Sequence, residues 1–221
     1  MNNQKFLNYL ESYLTERRRE LFKKVLSNRT RHFTVVTEDV KQLHNTSAVM
    51  RTCDIFGIQD LHVVEELQGK RIDKEIAMGV QKWVSLHRYS NIEQCMGALK
   101  SQGYRIIATT PHISSACLED IDITQKAAFF FGKESDGLSD KVLKQADAFL
   151  KIPMYGFTES LNISVSAAII LQDVTNKLRR SDIEWQLSEQ EQLEKRLDWI
   201  SKTLKSYDGI VARYYDEIKS T

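Results

Sequence analysis

Through the middle of the chain, residues 33–37, 61–65, 104–109, 127–131 and 148–152 are short runs rich in apolar, β-branched or aromatic residues, mostly without alternation of apolar and polar positions. A strand that does not alternate is one buried on both faces, as in parallel sheets covered by helices. Helical periodicity separates the runs. It is clearest at 48–56 and at 92–102, the latter between Asn91 as a candidate N-cap and Gly103 as a stop. Strands alternating with helices imply right-handed crossovers, so the expected fold is α/β with a mainly parallel sheet covered on both sides.

The ends of the chain read differently. Residues 5–26 carry Phe6, Leu10, Leu14, Leu21 and Val25 at roughly helical spacing and read as one amphipathic helix. Residues 161–180 begin as a serine-rich helix of small residues. Leu193, Leu197, Ile200 and Leu204 lay one apolar stripe on a further helix, and 209–219 reads as a last one. With no low-complexity linker and no internal repeat, these tail helices are expected to pack on the main domain or on a second subunit. The boundaries are a helical extension at 1–31, the main domain at 32–180 and a second helical extension at 181–221.

At 221 residues the chain can bury a substantial core without staples. Its three cysteines, Cys53, Cys95 and Cys117, are odd in number, widely spaced and form no CxxC pair, which argues against a disulfide framework and a structural zinc site. The N-terminal residues lack the apolar core of a signal peptide, and no apolar run is long enough to span a bilayer. A soluble, cytoplasmic protein is expected. The net charge of +1 says little, but residues 1–31 hold eight Lys or Arg against three Glu, while 182–221 holds nine acids against six bases. Such a basic cluster is most simply a solvated helix face. If the protein acts on RNA, Arg17, Arg18, Arg19, Lys23 and Lys24 become an arm that contacts phosphates.

Pro111, Pro153, Gly132 and Gly137 mark three loops that each follow an expected strand: ATTPH, FGKESDGLS and IPMYGFTES. Each alone is ordinary turn chemistry. Ligands of open α/β sheets bind outside the carboxyl ends of the strands, so together the loops mark one site. Dinucleotide, phosphate-loop and metal signatures are all missing, no GxSxG surrounds Ser160, Ser164 or Ser166, and nothing marks His112 as a base. There remain an Asn and an Arg on an early helix, a Glu in a glycine turn and an Asn between serines at a helix start. Asn45 is expected at or just before the helix start, as an N-cap or a site residue. Arg51 lies about two turns further on, either as a surface residue with a buried stem or aimed at an anion.

The segments HNTSAVMRTCDIFGIQDLHVVE, FFFGKESDGLSDKVLKQAD and IPMYGFTESLNISVSAAIILQD, in this order, resemble the three motifs of the SpoU/TrmH branch of the SPOUT methyltransferases, over residues 33–173. The resemblance implies a Rossmann-like, mainly parallel sheet whose C-terminal segment threads a loop as a deep trefoil knot, with N- and C-terminal helical extensions. It also implies a homodimer, S-adenosylmethionine as cofactor and no metal. Cofactor contacts would fall on Thr109, Gly132, Ile152, Met154 and Leu161.

The reaction so implied is 2'-O-methylation of RNA ribose. Chain length and the terminal helices favour the D-loop guanosine of transfer RNA. Ribosomal RNA is the alternative substrate, and a catalytically silent RNA-binding protein of the same fold is the non-enzymatic one. The resemblance gives Arg51 the task of helping the 2'-hydroxyl lose its proton. Because a guanidinium is a poor proton acceptor, the expected role is to hold the adjacent phosphate and stabilise the developing alkoxide. Asn45 would orient Arg51 or the RNA, and Glu134, Ser160 and Asn162 would shape the site, with Ser164 in support.

Overall fold

The computed structural model describes all residues except 1, 2, 41, 66–78, 111–115, 134, 220 and 221. Its elements in chain order are α1 (Asn3–Glu11), α2 (Glu16–Leu26), β1 (Phe33–Glu38), α3 (Leu43–Phe56), β2 (Asp60–Val64), β3 (Ser85–Tyr89), α4 (Ile92–Ser101), β4 (Arg105–Thr109), β5 (Ala116–Cys117), β6 (Ala127–Phe131), α5 (Asp140–Gln145), β7 (Ala148–Lys151), α6 (Ile163–Arg179), α7 (Glu189–Ser201) and α8 (Tyr207–Lys219). They form two compact units, Thr30–Trp185 and the pair of segments Met1–Arg29 and Gln186–Thr221.

In the larger unit the strands form one parallel sheet in the order β3-β2-β1-β6-β4-β7-β5. The unalternating runs of β1, β2 and β6 are buried throughout, as expected, whereas that of β7 is mostly only partly buried. Val35, Phe129 and Phe131 join Val49, Met50, Ile170 and Leu171 of α3 and α6 in one core, whereas Val36, Ala128 and Phe130 join Ile92, Met96 and Leu99 of α4 in the other. Neighbouring residues of a strand thus serve opposite layers, which is why polar positions are scarce within it.

Two strands escaped the sequence reading. β3 is an edge strand whose residues are partly buried or, at His87 and Arg88, exposed, so Ser85-Leu86-His87-Arg88-Tyr89 never forms an apolar run, and β5 has just two residues. His87 and His62 stack at 4.6 Å, and Asp60 accepts from His87 Nε2 (3.0 Å) and Arg31 Nε (2.7 Å). Burial pushes the Asp60 carboxyl up, but His87 and Arg31 outweigh it and hold it at about 2. Burial lowers the His62 imidazole to about 4 and raises the Cys95 thiol to about 12, the reverse of an activated nucleophile.

In the smaller unit, α7 packs on α1 and α2, and α8 on α1. The single helix expected over 5–26 is broken. Ser12 Oγ donates to the Tyr9 carbonyl (2.7 Å), ending α1, and Thr15 restarts the chain as N-cap of α2 by accepting from the Arg18 amide (3.3 Å). Hydroxyl side chains compete with helical hydrogen bonds in this way, and periodicity of the apolar residues alone does not register it. Phe22 and Trp199 meet edge to face at 5.4 Å, and Arg196 pairs with Glu11.

Candidate active site

The carboxyl ends of β4, β6 and β7 converge with the start of α3 on one cavity of about 720 Å³, well within the roughly 300–1,000 Å³ of small-molecule sites. All three loops singled out from the sequence contribute. Thr109 ends β4, and its hydroxyl donates to the Phe130 carbonyl of the neighbouring strand at 2.7 Å. Gly132 follows β6, Ile152 and Met154 follow β7, and Leu161 precedes α6; all five expected cofactor residues line the cavity.

Glycine at 132 is dictated by space. A Cβ built there would collide with the backbone of Gly137 and Leu138, because the loop folds back on itself: Lys133 and Gly137 exchange two backbone hydrogen bonds, both 3.0 Å. Gly137 serves a different need, a φ of 70° with open space around it.

Of the expected catalytic residues, Asn45, Ser160 and Asn162 line the cavity. Helix α3 begins at Leu43 with Gln42 as N-cap, so Asn45 is inside the first turn rather than before the helix, and it is nearly fully buried. Asn162 is the N-cap of α6. Its Oδ1 accepts from the Ser164 amide (2.8 Å) and hydroxyl (2.7 Å), while its Nδ2 donates to Asn45 Oδ1 at 3.2 Å. Ser164 therefore acts by fixing Asn162 and does not itself line the cavity.

Arg51 is elsewhere. It is exposed on α3 and not part of the lining. Six helical residues separate it from Asn45, about 9 Å along the axis and about 240° around it. Glu134 lies outside the described residues. Gln42, Lys133, Glu159 and Ser166 also line the cavity. In the sequence Ser166 is weighed only as a nucleophile and set aside, and the other three carry no signal there, although Lys133 and Glu159 lie within the resembling segments.

The SpoU rRNA Methylase family matches residues 32–172. The chain is 39% identical over 206 residues to the tRNA (guanosine(18)-2'-O)-methyltransferase of Borreliella burgdorferi, covering 93% of this chain and 94% of the relative. It is 38% identical to the enzyme of that name from Thermus thermophilus, covering 71% and 81%. The crystal structure of the A. aeolicus TrmH/SpoU tRNA modifying enzyme superposes with a TM-score of 0.77 at 31% identity, over 86% of this chain and 98% of that one.

Proposed function

The chain belongs to the SpoU methylase family, and from this we infer that it transfers a methyl group from S-adenosylmethionine to the ribose 2'-oxygen of guanosine 18 of transfer RNA. The observation that carries the substrate is the similarity to the Borreliella enzyme across 93% of the chain and 94% of that relative. The cavity fits the cofactor: Leu138, Leu143, Leu150 and Ile152 give apolar walls for a nucleoside, and the ends of three strands supply backbone groups to its polar edges. When bound, S-adenosylmethionine supplies a methyl group activated on a sulfonium.

The residues then divide the work. Thr109, Gly132, Ile152, Met154 and Leu161 form the pocket. The Asn162 amide, held by Ser164, and the buried Asn45 amide bonded to it present fixed dipoles to the pocket and orient the ribose, with Ser160 and Glu134 assigned to the same task. The 2'-oxygen gains the methyl group and loses its proton, and Arg51 holds the neighbouring phosphate and stabilises the charge developing on that oxygen while the phosphate accepts the proton. Transfer of labelled methyl to unmodified transfer RNA, lost when nucleotide 18 carries a 2'-hydrogen, tests this reading. Transfer to ribosomal RNA alone would favour the alternative substrate, and cofactor binding without transfer to either would indicate a silent relative.

In one copy Arg51 stands away from the cavity, and this supports a homodimer that brings it to the partner's site. Ile55, one turn beyond Arg51 on α3, is 71% exposed, and α6, packed on α3, exposes Val165 and Ile169. A second copy covering these stripes removes apolar surface from water. Light scattering should give a dimer at micromolar concentration, and an active monomer would exclude the arrangement. The trefoil knot of the C-terminal segment belongs to the same reading. So does cytoplasmic placement with the substrate; no described helix is long and apolar enough to cross a membrane, and the described residues hold no group of three or more potential metal ligands.

The α2 cluster is the proposed RNA arm. Arg17, Arg18, Lys23 and Lys24 are exposed and Arg19 is half-buried, with Lys23 near Glu20 at 3.0 Å. Reversing the charge of a side chain that pairs with a phosphate should flatten the log-log salt dependence of RNA binding by roughly 0.7–0.9 per pair removed, with cofactor affinity unchanged. An unaltered slope would return these side chains to a solvated helix face.

A further inference from the structure

Residues 132, 133 and 135–139 stand between two cavities. Lys133, Asp136, Gly137 and Leu138 line the main one and also a second of about 260 Å³ behind it. Leu138 anchors this wall in the apolar layer under α4, and with space on both sides of the rest, polar anchors add to that hold. Two are visible, and both come from the end of β1. Glu38, 5% exposed, accepts from the Ser139 amide at 2.9 Å with one carboxylate oxygen and from the Ser139 hydroxyl at 2.6 Å with the other. Asp39 reaches Lys133 Nζ at 4.0 Å. Glu38 thus holds one end of the loop by two hydrogen bonds, and Asp39 lies at ion-pair range of Lys133 near the other.

The backbone at this grip is unusual. Asp39 is the one described non-glycine residue with positive φ, at 47°, a conformation that costs an aspartate free energy and persists where its surroundings impose it. Its amide donates to the Val64 carbonyl at 2.9 Å, which locks the turn so that Glu38 and Asp39 both meet the β6 loop. Strands β1 and β6 are direct neighbours, with Thr37 beside Phe131.

We propose that Glu38 and Asp39 are positioning residues: a carboxylate clamp that, through Ser139 and Lys133, holds the β6 loop in the shape that closes the cofactor pocket. This rests on reading the main cavity as the S-adenosylmethionine site. Hydrogen bonds to a carboxylate are the stronger kind, so losing part of the grip should be felt in the pocket although neither residue touches the cofactor.

The test uses Glu38→Gln, Ser139→Ala and Ser139→Thr in the full chain, with two measurements. Hydrogen exchange of the Lys133 and Gly137 amides, which bond to each other across the loop, reads the wall in cofactor-free protein. Calorimetric titration with S-adenosylmethionine reads the pocket. Glu38→Gln and Ser139→Ala should each speed exchange at both amides and raise the cofactor Kd by about tenfold, with thermal midpoints nearly unchanged. The double variant should be little worse than either single one, because both weaken the same interaction, and Ser139→Thr, which keeps the hydroxyl, should resemble the wild type. Exchange that is unchanged, or equally faster across the whole sheet, would overturn the clamp. If Glu38→Gln fails to fold, Ser139→Ala alone decides. A wild-type protein that shows protected amides but binds no S-adenosylmethionine would overturn the reading of the cavity and leave the clamp on the loop standing.

Discussion

Arg51→Lys and Arg51→Ala are each expected to lower the methyl-transfer rate by about two orders of magnitude or more, with S-adenosylmethionine binding nearly intact. Arg51 is exposed on α3 and lines no part of the cavity of its own copy, so the pocket should survive its replacement, and the loss should fall on kcat. Lysine keeps the charge but not the planar fork that can hold a phosphate oxygen and an alkoxide together, hence the conservative change should not rescue. The pH profile separates two roles. Were residue 51 a general base, the lysine variant would regain activity toward alkaline pH, as an amine of ordinary pKa about 10.4 loses its proton. A residue that clamps phosphate gives little recovery. Single-turnover rates of Arg51→Lys across pH decide between them, and wild-type rates near neutrality would remove Arg51 from the mechanism altogether.

Gly132→Ala should weaken S-adenosylmethionine binding by about ten- to a hundredfold, since overpacking a tight site commonly costs about 1–3 kcal/mol and here the wall of the pocket must move. The added methyl meets backbone atoms of Gly137 and Leu138 rather than a side chain that can turn aside. It therefore forces open the turn closed by the two Lys133–Gly137 hydrogen bonds. Gly137→Ala is the control. Gly137 has open space but a φ of 70°, so alanine there strains the backbone by about 1 kcal/mol without pushing the wall, and should lower the melting temperature more than it weakens binding. Titration of both variants, alongside their melting curves, makes the comparison. A folded Gly132→Ala protein that binds the cofactor within about threefold of the wild type would mean that the loop does not shape the pocket.

The sequence was most legible where the physics is local. Runs such as Ala127–Phe131 lack alternation because successive residues face the α3/α6 and α4 layers in turn, so burial on both faces could be read directly from composition. The glycines and prolines after the strands marked three loops for the same local reason, and the resemblance of the segments around them named Thr109, Gly132, Ile152, Met154 and Leu161, all of which line the cavity. Weak local signals failed. The partly buried edge strand β3 has no apolar run to detect, and Ser12 and Thr15 break a helix that the spacing of Phe6, Leu10 and Leu14 carries straight through.

Interactions between distant residues were set by the tertiary structure alone. Asn45 and Asn162 were each identifiable from their segments, yet the bond between their side chains spans 117 positions and exists because α3 and α6 pack on the same face of the sheet with their starts at the same end. Glu38 and Ser139, 101 positions apart, carried no signal in either neighbourhood, since a carboxylate ending a strand and a serine before a helix are both ordinary; adjacency of β1 and β6 makes them partners. The spacing of Asn45 and Arg51 fixed their separation on the helix, but which of them turns to the cavity and which to the outside depended on the face by which α3 meets the sheet. Periodicity and turn chemistry act over a few residues, while the order and register of strands arise from packing the whole chain at once.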